Sequence, residues 1–231
     1  MLNFTPWNTL LQTYVDDRGR VDYARWQRQA AADLDAWLAS LPTTLDGLAS
    51  EETLALFINL YNGLVIQQVL QRYPIDSVLP KVVGLPNWLA FWRFFSRSLY
   101  TLDGRAISLN NLEHDMLRPQ FKDPRIHFAV VCAAVGCPIL RNEAYWPDIV
   151  EAQLETDAHR FIHNPDKVLY DADGGILYCS KILKWYGEDF LQVAPSVPDY
   201  IGTYLSTTPS LSKLTQVQYL PYDWGLNRQP D

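Results

Sequence analysis

The chain has 231 residues, 48% of them apolar and 13% aromatic, with a formal charge of −7 from 26 acidic and 19 basic side chains. That composition excludes a disordered protein and suits one self-sufficient domain, residues 1–231, with its own core. No run of Lys or Arg occurs, so the charge pattern argues against nucleic-acid binding and against electrostatic docking on an anionic membrane.

The opening Met1-Leu2-Asn3-Phe4-Thr5-Pro6-Trp7 has neither a basic n-region nor an apolar h-region, so no signal peptide is read. The longest apolar run, Leu54 to Ile66, is broken by Asn59, Asn62 and Gly63, short of the ~20 apolar residues of a membrane span. A soluble, cytoplasmic protein is the expectation. Three cysteines, Cys132, Cys137 and Cys179, cannot all pair, and the odd count suggests reduced thiols.

Along the chain, Asp22 to Leu41 carries apolar residues at helical spacing, including Tyr23, Trp26, Leu34 and Trp37. A second helix is expected from Glu51 to Arg72, with Ser50 as N-cap and Glu51 and Glu52 on the favourable side of the dipole. Its first half is apolar nearly all round, which predicts a central, buried helix. Lys81 to Asn87 reads as a loop. Ser108 or Asn110 caps a short helix through about Leu117, with Leu109, Leu112 and Met116 facing inward. Ile126 to Cys132 has the β-branched, apolar character of a buried central strand. Ile149 to Ile162 is an amphipathic helix. Lys167 to Tyr170 and Gly175 to Ser180 flank Asp-Ala-Asp-Gly and predict a hairpin. Lys181 to Val193 and Asp199 to Leu205 read as helical. The fold class expected is α+β: a helix-rich single domain around a small, mainly antiparallel sheet.

The sharpest chemical feature is Val131-Cys132-Ala133-Ala134-Val135-Gly136-Cys137-Pro138. Pro favours the first position of a helix, which would make Cys137 an N-cap. There, free N–H groups and the dipole lower a thiol's pKa and can stabilise an oxyanion. The plain alternative is a small apolar residue in a tight turn. Cys132 is most simply core, although Cys-x4-Cys spacing also permits a metal site. Cys179 looks like strand filling.

A thiol nucleophile needs a base. His114 lies on the polar side of the 108–117 helix, and His127 begins the expected strand, where alternation sets it opposite Cys132. His159 and His163 share a helix face and read as a surface pair. Asn59 and Asn62 lie in the apolar helix, where each amide needs a partner; pinning a loop is the better reading and contact with substrate the other. In Lys184-Trp185-Tyr186-Gly187-Glu188-Asp189-Phe190, Asp189 could orient a catalytic His, while Lys184 and Glu188 have the spacing of a surface pair.

With those residues in place, the chain resembles the DUF547 family, a domain of unknown function. The resemblance rests on Phe57 to Leu64, Leu112 to Pro119, Asp123 to Pro138, Lys184 to Phe190 and Tyr222 to Asn227, in order along most of the chain. Its motifs contain Asn59, Asn62, Glu113, His114, His127, Cys132, Cys137, Lys184, Tyr186 and Asp189, and omit His159, His163 and Cys179.

Two function classes follow. The first is a thiol hydrolase or acyltransferase, papain- or transglutaminase-like, in which Cys137 attacks an amide or thioester of a small molecule or peptide. His114 or His127 would be the base, oriented by Asp189, Glu113 or an Asn, with Asn59, Asn62, Lys184 and Tyr186 near substrate. Both histidines precede Cys137, so such a site needs a rearranged chain order. The second class is a binding or scaffold module whose polar residues staple helix to loop. A metal site from Glu113, His114, His127 and a cysteine is the weaker third; no metal and no cofactor are expected.

Overall fold

One helix, apolar on every side, organises the chain. A computed structural model describes residues 2–205, 211 and 216–230. Helix α3 (Ser50–Leu70) buries almost every residue from Thr53 to its end. It is long and apolar enough to cross a membrane, yet it lies inside the protein core. The expected Ser50 cap shifts by one residue: Ala49 N–H donates to Glu52 Oε2 at 2.9 Å, half of a capping box.

Helices α1 (Thr5–Tyr14) and α2 (Tyr23–Ser40) pack beside α3. Their seam is aromatic, with Trp7 stacked on Trp37 at 4.9 Å and Tyr14 on Trp26 at 5.0 Å. Helix α2 buries Tyr23, Trp26, Ala30, Leu34, Trp37 and Leu38, the stripe its spacing predicts, and Asp22 caps it by accepting from Arg25 N–H.

The segment expected as a loop holds the hairpin β1 (Lys81–Val82) and β2 (Leu85–Pro86), followed by helix α4 (Trp88–Ser96). A second hairpin, β3 (Tyr100–Leu102) with β4 (Arg105–Ile107), leads to the 108–121 helix. Ser108 caps that helix: its Oγ accepts from Asn111 N–H at 3.2 Å. The helix is π-wound over Asn111–Leu117 and regains α geometry in α5 (Arg118–Phe121), ending at left-handed Lys122.

The expected strand at 126–132 does not form. Pro124–Phe128 is a 3-10 helix, capped by Asp123, which accepts from Arg125 N–H at 2.9 Å. Residues 129–132 then follow an irregular path with no strand partner among the described residues. A buried side-chain amide replaces the ladder: Asn62 Nδ2 donates to Ala129 O at 2.9 Å, and Val131 N–H donates to Asn62 Oδ1 at 2.9 Å. Asn59 does the same for Tyr145, accepting from its N–H at 3.0 Å and donating to its carbonyl at 2.8 Å.

A second hydrophobic cluster lies around Phe128, helix α6 (Val150–Ile162) and a three-stranded sheet. The hairpin β5 (Val168–Asp171) with β6 (Ile176–Cys179) is antiparallel, as the turn chemistry predicts, and β7 (Gln216–Tyr219) joins β6 in parallel. Short helices α7 (Ile182–Trp185) and α8 (Gly187–Phe190) and helix α9 (Val197–Leu205) complete this half. The whole is helix-rich α+β with small sheets.

The two amides should be costly to lose. Asn62→Ala strands a buried N–H and a buried C=O, and should lower unfolding free energy by about 2–4 kcal/mol. Gln67→Ala, which removes an exposed bond to Asp35, should change it by less than about 0.5 kcal/mol. Denaturant unfolding of both variants checks the contrast.

Candidate active site

The π-wound turn sets three polar residues at the edge of one cavity. Its i→i+5 bonding, with Arg118 N–H donating to Glu113 O, sets Glu113, His114 and Arg118 along one side. All three line a cavity of about 480 Å³, together with His127, Cys132, Cys137 and Tyr186. The rest of the wall is mainly aromatic, from Tyr61, α4 and the 222–224 segment.

Behind this wall, Asp189 joins Arg118 and His127, both of which line the cavity. Arg118 grips its carboxylate from two sides, Nε to Oδ2 at 2.7 Å and Nη2 to Oδ1 at 3.0 Å. His127 Nε2 lies 2.6 Å from Asp189 Oδ2. Burial pushes the Asp189 carboxyl upward, but the bonds from His127 and Arg118 outweigh it and hold the group well below the usual carboxylate range. An ionised carboxylate only accepts, so His127 Nε2 must carry the proton. Burial lowers the imidazolium pKa of His127, and this outweighs the upward pull of Asp189. The ring is therefore neutral near pH 7, with its lone pair at Nδ1. That atom is buried and has no hydrogen-bond partner among the described residues.

Tyr186 completes the layer. Its ring stacks on His127 with centroids 3.8 Å apart, the Arg118 guanidinium lies 5.3 Å from its centroid, and its hydroxyl donates to Glu113 Oε1 at 2.6 Å. Burial first, and then the charge of Glu113, push the Tyr61 and Tyr186 phenols upward and keep both protonated.

The cysteine turn differs from the sequence expectation in three ways. No helix starts at Cys137, because the chain stays irregular until α6, so no helix dipole acts on its sulfur. Instead Cys132 N–H and the Tyr222 hydroxyl each lie 3.1 Å from Cys137 Sγ. Cys132 and Cys137 are not two free thiols but a disulfide, with Cα atoms 6.4 Å apart. His127 and Cys132 do not face opposite sides, since both line the cavity once strand alternation is gone. Only Cys179 is free, and burial pushes its thiol up to about 12.

External contacts hold the turn. Val135 and Gly136 N–H donate to Gly225 O and Asp223 O at 2.8 Å each. A Cβ on Gly136 would lie 2.9 Å from the Tyr222 ring, so this residue must be glycine for the two segments to approach. Lys167 Nζ donates to Val135 O at 2.8 Å, and burial lowers its ammonium pKa to about 8.

Cys137, His127, His114, Glu113, Tyr186 and Asp189 thus converge on one place. Asn59 and Asn62 do not reach it: they act as loop staples in the interior. Lys184 lies outside, its ammonium 5.3 Å from the Tyr219 centroid. His114 is exposed and takes Arg118 Nη1 at 2.8 Å. His159 and His163 stack on one another at the surface, as their spacing predicts. Among the described residues, no three His, Cys, Asp or Glu side chains gather to hold a metal ion. Arg118 and Tyr222 are the participants that sequence reasoning left off its site; both lie in motifs quoted above, but neither has a residue type that marks it as chemical.

The His127–Asp189 pair makes stability depend on pH. Both folded pKa values are depressed, so each contribution is present above the ordinary value and lost as pH falls. The pair's contribution should be level above about pH 6.5, decline below it as unfolded His127 takes up a proton, and decline again below 3.8 through Asp189. In His127→Gln the first decline should vanish while the second remains, as urea unfolding at stepped pH would show.

No curated protein and no solved structure matches the chain. Residues 45–162, half of the sequence, match the family model described as "Protein of unknown function, DUF547". The matched stretch contains Glu113, His114, Arg118, His127 and both paired cysteines, while Asp189 and Tyr222 come from beyond it. The chain belongs to the DUF547 family.

Proposed function

We propose that the chain is a thiol-dependent hydrolase or acyltransferase that attacks an amide or thioester through Cys137, with a papain- or transglutaminase-like division of labour. The observation that carries the reading is one cavity lined by Cys137 and by a neutral His127 whose far nitrogen is tied to an ionised Asp189. A sulfur, a base and an orienting carboxylate are the parts this chemistry needs.

The competent form is the dithiol. An external thiol pair supplies two electrons and two protons, becomes a disulfide itself, and leaves Cys132 and Cys137 as thiols. His127 Nδ1 then takes the Cys137 proton as the sulfur adds to the acyl carbon. The same proton passes to the departing amine or thiol, leaving an acyl-enzyme. Water or an acceptor nucleophile releases the acyl group and restores the thiol. His127 is preferred to His114 as the base because its ring is shielded and its tautomer fixed, whereas His114 is exposed and occupied by Arg118. Tyr222, hydrogen-bonded to the sulfur, is placed to donate to it.

The disulfide also favours a second reading, a binding domain in which the cysteine pair is structural and the cavity holds a ligand without turnover.

The test is alkylation of the reduced protein by chloroacetamide across pH, with labelled sites mapped. The catalytic reading expects Cys137 to react well below about pH 8.5, the ordinary thiol range, and His127→Asn to slow that reaction by at least about tenfold at neutral pH. Turnover of a thioester probe should fall roughly 10²–10⁴-fold in His127→Asn and be lost in Cys137→Ser. A Cys137 thiol that titrates in the ordinary range in both proteins, with no turnover, establishes the binding domain instead.

A further inference from the structure

The described surface carries one dense apolar projection. Hairpin β1–β2 and the outer face of α4 expose Val82, Val83, Leu85, Trp88, Leu89 and Trp92 within twelve residues of chain. Scattered apolar side chains are normal on a surface, but a contiguous group of this size marks an interaction site.

Its tip is built against local preference. The two central residues of the hairpin, Val83 and Gly84, have φ of +51° and +78°. Such a turn favours Asn-Gly or Gly-Gly, and a β-branched residue is strained at that first position. Val83 is nonetheless there and is 96% exposed, so within this chain it gains nothing from burial in return. Behind the tip, helix α4 turns Phe94 and Phe95 into the core, while Trp88, Leu89 and Trp92 face out.

Charge identifies the occupant. From residue 80 to 100 the chain has Lys81, Arg93 and Arg97 and no acidic residue, in a protein whose formal charge is −7. All three cations are exposed, and none makes an ion pair among the described residues. Leu89 and Arg93 follow at i and i+4 and Arg97 is the C-cap, so both guanidinium groups border the exposed side of α4. Basic residues flanking exposed Trp, Leu and Val form the pattern that enters the headgroup layer of an anionic bilayer, rings among the acyl boundary and cations at phosphate level. A protein partner would need a matching cavity and acidic rim; a lipid surface needs only this chemistry.

We infer that the 81–97 hairpin–helix docks on an anionic lipid surface. The whole-chain charge predicted no such docking, because the cations are few and count only beside the exposed rings. The projection is also continuous with the cavity: Trp88 and Phe91 meet Trp224 with ring centroids 6.4 and 5.0 Å apart, and Trp224 meets Tyr222 at 4.5 Å. Docking would therefore bring the cavity's aromatic wall to the membrane. The inference does not depend on the thiol chemistry.

Co-sedimentation of the full chain with vesicles tests it, comparing phosphatidylcholine alone with phosphatidylcholine containing phosphatidylglycerol. The protein should pellet with the anionic vesicles and less with the neutral ones, and added salt should weaken binding. The double variant Val83→Asn, Leu89→Ser should bind about tenfold or more weakly. Asn suits the turn, so its thermal unfolding should match the parent. Arg93→Glu with Arg97→Glu should abolish the preference for anionic lipid. The inference is overturned if the parent stays in the supernatant with both vesicles, if the variants bind as well as the parent, or if the patch proves to be the interface of a dimer in solution.

Discussion

Two carboxamides inside an apolar helix set the geometry on which the site depends. Asn59 and Asn62 each offer one donor and one acceptor, and each closes on the N–H and C=O of a non-helical segment. A buried loop is costly because its backbone groups lose water, and a β-ladder is the usual remedy. Here a helix supplies the remedy from its side chains. The consequence is positional. Asn62 fixes residues 129 and 131, so His127 just before and Cys132 just after are held at set places on the cavity wall. A lengthening of one methylene, Asn to Gln, would preserve the chemistry and displace both.

Electrostatics then divides the work between two similar-looking groups. Arg118 holds Asp189 ionised, and its positive charge also opposes a second charge on His127. Burial acts on His127 in the same direction. The pair therefore rests as carboxylate and neutral imidazole rather than as an ion pair, with an unprotonated, buried Nδ1 at physiological pH. The Glu113–Tyr186 bond has a separate role: it fixes the ring that stacks on His127, so the imidazole plane is held as well as its tautomer.

Much of this was legible in the chain. Long helices declared themselves by apolar spacing, α2 within a residue at each end, and the 168–179 hairpin by its Asp-Gly turn. The chemical residues were readable as types: five of nine line the cavity, and a sixth, Asp189, is bonded to His127 behind it. The errors share one cause. Ile126 to Cys132 has the composition of a buried strand because it is buried almost throughout, but composition cannot say whether its backbone partner is another strand or an amide 69 residues away. Helices α1 and α4 escaped notice because Thr, Asn, Trp and Phe are middling helix formers, and their packing, such as Trp7 on Trp37, is tertiary. The disulfide escaped because an odd cysteine count says nothing about which two meet.

The disulfide is not what keeps the cysteine turn in shape. Bonds from Gly225 and Asp223 and the Lys167 ammonium hold residues 135 and 136, Asn62 holds residue 131, and Ala134 bridges to Leu226. They come from three parts of the fold, the 223–226 segment, Lys167 and helix α3, and none passes through sulfur. A crosslink closing so short a loop adds little where backbone entropy is already spent on other contacts. Opening it would thus leave the turn, Tyr222 and His127 in place while changing the chemistry of one cavity wall. The pair is thus a crosslink whose removal costs the architecture little, set in the wall of the same cavity as an imidazole whose tautomer is fixed.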